Sequence, residues 1–151
     1  MKLAEALILR ADCQKRIEQL RERLIRSARV QEGEAPPEEP QPLIAQLDAT
    51  INELSNLITR INQTNSSTTL EEGMTISDAL TRRDTLLLKR SVYNSLIDAA
   101  VIRQDRYSAS EIKSFSTVNI TELQRQMDEL SRQSRQLDTK IQESNWTTEL
   151  I

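Results

Sequence analysis

LIAQLDATINELSNLITRINQT, residues 43–64, is the stretch that decides the fold. Within it Ile44, Leu47, Ile51, Leu54, Ile58 and Ile61 follow at steps of three, four, three, four and three. A chain that turns once every 3.6 residues brings such positions to one side, and a seven-residue repeat keeps them there turn after turn. β-Branched Ile alternates with Leu, the composition of a tight helix–helix seam. The spacing predicts a helix over 43–64 that packs through the Ile44-to-Ile61 row.

Working back from it, residues 31–42 hold Gly33 and all four prolines, Pro36, Pro37, Pro40 and Pro42, among Glu32, Glu34, Glu38 and Glu39. Proline ends helices and the glutamates hold a segment in water, so this stretch reads as a flexible acidic loop. Before it, Leu3, Ala6, Arg10, Cys13, Ile17, Leu20, Leu24 and Ser27 repeat the three–four spacing and predict a helix over about 2–30. Arg10 interrupts that stripe, so its guanidinium must reach the edge or meet a carboxylate. Two long helices joined by a short loop make an antiparallel hairpin.

Working forward, residues 62–69 are polar. Gly73 in Leu70-Glu71-Glu72-Gly73-Met74 then allows a tight turn, with a short β element near 68–76. Thr75 and Asp78 have capping-box spacing and open a third helix over about 76–106. Its apolar residues, among them Leu80, Leu86, Leu87, Leu88, Val92, Leu96 and Ile97, spread over more than one face. A helix of that kind is central or touches more than one neighbour. Serines and threonines over 107–118 predict an irregular or short β segment near 110–118. Asn119 with Glu122 then starts a fourth helix over 120–144, striped by Leu123, Met127, Leu130, Ser134, Leu137 and Ile141. Trp146, in a tail with Leu150 and Ile151, reads as an anchor of that tail to the bundle or to a neighbouring subunit. The whole is a mainly α, single-domain bundle or coiled-coil hairpin of four helices over 1–151.

Composition supports long helices with few corners: the 151 residues include 2 Gly and 4 Pro, and are 37% hydrophobic but 3% aromatic. The core is therefore aliphatic. Cys13 is the single cysteine and there is no histidine, which closes the usual zinc sites and the imidazole-based catalytic systems. No cofactor or metal site follows from the residues. The net charge is −3. The basic first helix is followed at once by the acidic loop and lacks aromatic companions, which argues against nucleic acid. No stretch approaches the roughly 20 apolar residues of a membrane helix, and the opening residues lack the signal-peptide pattern, so the expected location is the cytoplasm.

The opening MKLAEALILRADCQKRIEQLRERL, the segment RQDRYSASEIKSFSTV and the ending IQESNWTTELI resemble a bacterial family of small helical proteins of unknown function. Some of its members carry the automatic label septicolysin, a toxin name. The resemblance covers nearly the whole chain and implies no particular activity. The residues themselves offer no pair of amphipathic strands long enough for a pore.

The densest polar cluster is Arg103, Asp105, Arg106 and Tyr107, continued by Glu111. Two guanidiniums and a phenol there could hold a phosphate or another small anionic ligand. Equally, arginines near a helix C-terminus complement its dipole and pair with Asp105 and Glu111. Arg82 and Arg83 form a second cationic group, and Asp84 beside them either faces water or turns inward toward a buried arginine such as Arg10. Two functions stand on these residues. One is a non-enzymatic interaction module that forms homo-oligomers through its heptad faces. The other is a small anion-binding bundle, with or without catalysis, built on the two arginine groups.

Overall fold

The structure is a computed structural model and describes residues 1–101 and 112–151. Among the described residues the order is α1 (Leu3–Arg26), α2 (Pro40–Ser67), β1 (Thr69–Glu71), β2 (Met74–Thr75), α3 (Ile76–Ala100) and α4 (Ile120–Thr147). Four helices and one small antiparallel hairpin make the protein mainly α. The chain divides into two compact units, one of residues 1–76 with 142–151 and one of residues 77–141.

In the first unit α1 and α2 pack as an antiparallel hairpin. Arg16 Nη2 lies 3.0 Å from Glu53 Oε2, while Arg23 Nε donates over 2.9 Å to Glu38 Oε2, so the pairs close up in sequence toward the loop. The predicted stripe of α1 is the one that faces inward: Leu3, Ala6, Cys13, Leu20 and Ser27 are buried, with Arg10, Ile17 and Leu24 half-buried between them. Arg10 thus lies along the packing face with part of its length in solvent, as a long cationic side chain can.

The inner face of α2 differs from the expected one. Leu43, Thr50, Leu57, Ile61 and Thr64 are buried, with Leu47 and Leu54 half-buried, whereas Ile44 and Ile51 stand 38% and 44% exposed. The two rows share Leu47, Leu54 and Ile61, and differ by a rotation of one residue's step. Thr50 and Thr64 explain the choice. Each hydroxyl donates to the carbonyl one turn back, Gln46 and Arg60 respectively, over 2.8 Å, so both can be buried satisfied. The alternative row runs into Asn65, whose amide needs more partners than one carbonyl.

Both ends of α2 run past the expected 43–64. Pro40 sits at the start, where its missing N–H costs nothing and its φ is already helical. At the far end, Ser66 and Ser67 donate to Asn62 and Gln63 carbonyls, so the polar run continues the helix. α1 ends earlier than expected, at Ser27, whose amide bonds back to Arg23 and Leu24. The β1–β2 hairpin forms as expected, with Gly73 at φ 75° in its turn.

The tail belongs to this unit. Leu3 N–H donates to the Thr148 carbonyl and Leu150 N–H to the Met1 carbonyl. Ile151 is held at both its amide, by Thr64 Oγ1, and its carbonyl oxygen, by Arg60 Nε at 2.7 Å. Leu150 is the tail's buried apolar anchor; Trp146 is 57% exposed on the last turn of α4, so within the single chain it does not hold the tail to the bundle.

In the second unit α3 and α4 run antiparallel. Arg83 Nη1 donates to Asp138 Oδ1 over 2.8 Å, and one heptad on, Arg90 Nε donates to Ser131 Oγ over 2.6 Å. One heptad up α3 matches one heptad down α4, which fixes the register. The α4 stripe of Met127, Leu130, Ser134, Leu137 and Ile141 is buried as predicted, and Asn119 Oδ1 caps the helix by accepting from Glu122 N–H. α4 continues three residues beyond 144. α3 ends at Ala100 and residues 102–111 lie outside the described ones, so the expected extension to 106 does too. Residues 112–118 contain no strand and are irregular.

Candidate functional site

Of the expected ligand-binding residues, Arg103, Asp105, Arg106, Tyr107 and Glu111 lie outside the described residues. The second cationic group is described, and its members part company. Arg82 points into solvent. Arg83 turns inward, its side chain 25% exposed, and is shared between Asp138 and Asp84, whose Oδ1 accepts from Nε and Nη2 at 3.2 Å. These carboxylates hold the guanidinium firmly charged, the Asp138 hydrogen bond contributing most. They also occupy the donors that an external anion would need. Neighbours on a helix stand about 100° apart, and here Arg82 is exposed while Arg83 is half-buried. Asp84, 67% exposed at its side chain, stays at the surface and meets Arg83 of its own helix.

The grooves follow the same rule. One on the first unit is lined by Arg16, Gln19, Leu20, Arg23, Gln46 and Thr50. Its two arginines are engaged by Asp12 and Glu53 and by Glu38. Glu38 is held below the usual carboxylate range, chiefly by its hydrogen bond from Arg23. Along α4, Arg125 pairs with Glu122 and Arg132 with Glu129, a surface ladder that leaves its charges internally balanced. Cys13 is fully buried, and burial pushes its thiol pKa up, so it is a core residue and a poor nucleophile. Among the described residues no group of three or more His, Cys, Asp or Glu side chains could hold a metal ion. None of the described helices is long and apolar enough to cross a membrane.

What stands out instead is apolar surface. On α3, Leu88, Val92 and Leu96 follow at four-residue steps and are 65%, 57% and 38% exposed, with Leu87 45% exposed on another side, while the same helix buries Ala79 and Ile97. The spread of apolar residues around this helix signalled a second face. Its threonines and serines concealed how continuous that face is. A shallow groove at the end of α3 is lined by Leu96, Ala99, Val101 and residues 114–118, with Phe115 78% exposed beside it.

The fold and this surface define a helical-hairpin protein in which several arginines, Arg16, Arg23 and Arg83 among them, are engaged by carboxylates. The chain belongs to a family of unknown function, DUF6847, whose sequence model matches residues 10–150. A functionally unknown conserved protein from Corynebacterium diphtheriae, known from a crystal structure, is 45% identical over 100% of this chain and 99% of its own, with a TM-score of 0.93. No curated protein matches the chain. The family and the bacterial neighbour agree with the expected class of small helical proteins of unknown function, and neither description carries the septicolysin label.

Proposed function

We propose that this protein is a non-catalytic helical interaction module that associates with copies of itself. The observation that carries the proposal is the exposed apolar side of α3, where Leu88, Val92 and Leu96 follow at four-residue steps and stand 65%, 57% and 38% exposed. Monomeric proteins scatter exposed apolar residues singly; a continuous row marks a surface that is covered in the working state. The exposed Ile44 and Ile51 on α2 are a smaller feature of the same kind.

The engaged arginines favour this reading over an anion- or nucleic-acid-binding one. Arg16, Arg21, Arg23 and Arg83 each have a carboxylate within 3.4 Å or less, and paired charges are weak recruiters of phosphate. A cytoplasmic location goes with it, since a lone cysteine forms no internal disulfide. The membrane damage suggested by the septicolysin label has no support in the helices described. Sedimentation equilibrium over micromolar concentrations is the test. A species at twice the 17.3 kDa chain mass or above is expected; a monomer at every concentration would sink the proposal.

A further inference from the structure

The outer side of α3 carries a heptad of its own. Thr81, Thr85, Leu88, Val92, Ser95 and Ala99 step four, three, four, three and four, and every one of them is exposed. At about 100° per residue, this row lies on the opposite side of the helix from Arg83, Arg90 and Ile97, which face α4. No member of the row is charged over its length of about 27 Å at 1.5 Å per residue. The exposed side of α4 is built differently, from Arg125, Glu129, Arg132 and Arg135. One outer face is made for water and the other is not.

The edges of the α3 row then say what fits it. Along one edge run Arg82, Lys89 and Leu96; along the other run Asp84, Ser91 and Asp98, all exposed. One edge is cationic and the other acidic. In a parallel pair of helices, each edge meets the opposite edge of its neighbour, and a residue faces the one five positions on. Asp84 would then face the partner's Lys89, twice in a symmetric pair. An antiparallel pair sets like edges together, acid against acid and base against base, and is disfavoured. The seam composition agrees: β-branched Thr85 and Val92 occupy the a positions and Leu88 a d position, the arrangement that favours two parallel strands.

We infer that two copies of this chain pair through α3, in parallel and in register, about a two-fold axis running along the helices. The inference rests on the self-association reading above and adds its surface, its polarity and its stoichiometry. A second copy is the occupant because the two edges complement each other when the same helix is laid beside itself.

Cysteine scanning tests it on the intact chain. Leu88→Cys and Val92→Cys are made separately, with Cys13 left in its buried position. Under mild oxidation each variant alone is expected to form the 88–88 or 92–92 disulfide in high yield. An 88–92 disulfide, formed only when the two variants are mixed, is the a-to-d contact of an antiparallel pair and overturns the parallel pairing while leaving self-association intact. A wild-type monomer overturns both. Charge reversal gives a second readout that does not depend on new cysteines. Lys89→Glu should raise the dimer dissociation constant about tenfold, as the loss of two edge ion pairs implies. Adding Asp84→Lys should restore it, and a double variant as weak as the single one overturns the Asp84–Lys89 contact.

Discussion

Thr64 is fully buried, and its hydroxyl both donates to the Arg60 carbonyl and accepts from Ile151 N–H at 3.1 Å. One oxygen therefore satisfies the helix and pins the tail. Thr64→Val keeps the shape and strands the Ile151 amide, so it should lower stability by about 1 kcal/mol, read as a fall in urea midpoint. An unchanged midpoint would mean that the tail bond is idle. Arg83 shows what sequence can and cannot say at this scale. The carboxylate next to it was readable from sequence, but the inward orientation of Arg83 was not, because apolar residues spread over more than one face of α3. Its main partner, Asp138, lies 55 residues away, and nothing local in the sequence points to it. The arginine and tyrosine cluster at 103–107 drew attention because its charges are dense. Density alone does not separate a site from a set of ion pairs, and Arg16, Arg23 and Arg83 are of the second kind.

At the scale of the element, α2 packs through a row turned by one residue's step from the one its spacing predicts, because apolar spacing follows isoleucine and passes over threonine. Hydrogen bonding to the helix's own carbonyls makes Thr50 and Thr64 acceptable inside, and that tipped the rotation. Two substitutions separate the rows. Leu57→Ala, at a site 5% exposed, should cost about 2–4 kcal/mol, while Ile51→Ala, at a site 44% exposed, should cost well under half of that. Equal losses in a denaturant titration would favour the row expected from sequence. α1 and α4 had one apolar stripe each and were read correctly for that reason. On α4 the surface ladder makes a pH prediction. Glu129 is lowered to about 2, first by its hydrogen bond from Arg132 and then by Gln133. An ordinary glutamate titrates near 4.5, so the unfolded chain takes up this proton first. The contribution of Glu129 is complete above pH 4.5 and is lost as pH falls toward 2. Thermal melts of Glu129→Gln should accordingly lose part of the wild-type decline in Tm across that window; parallel curves would contradict it.

At the scale of the whole molecule, the mainly α class was legible because few glycines and prolines leave few corners, and because three helices keep a three–four spacing over several turns, Arg10 being the one charged interruption. How α3 uses its extra apolar residues was less legible. Four exposed apolar side chains on one helix read equally well as a central helix wrapped by neighbours. The fold decides between these, since the row is open to solvent in the single chain. The family match and the bacterial neighbour place the chain among proteins of unknown function, so the reading of that row carries the functional account. Val92, 57% exposed at its centre, gives the most direct test, because a charge there spoils a shared seam and leaves an isolated helix nearly untouched. Molar mass by light scattering should give at least twice 17.3 kDa for the wild type and 17.3 kDa for Val92→Glu, with unchanged helical circular dichroism. A wild type that stays at 17.3 kDa, or a Val92→Glu variant that remains associated, would contradict the account.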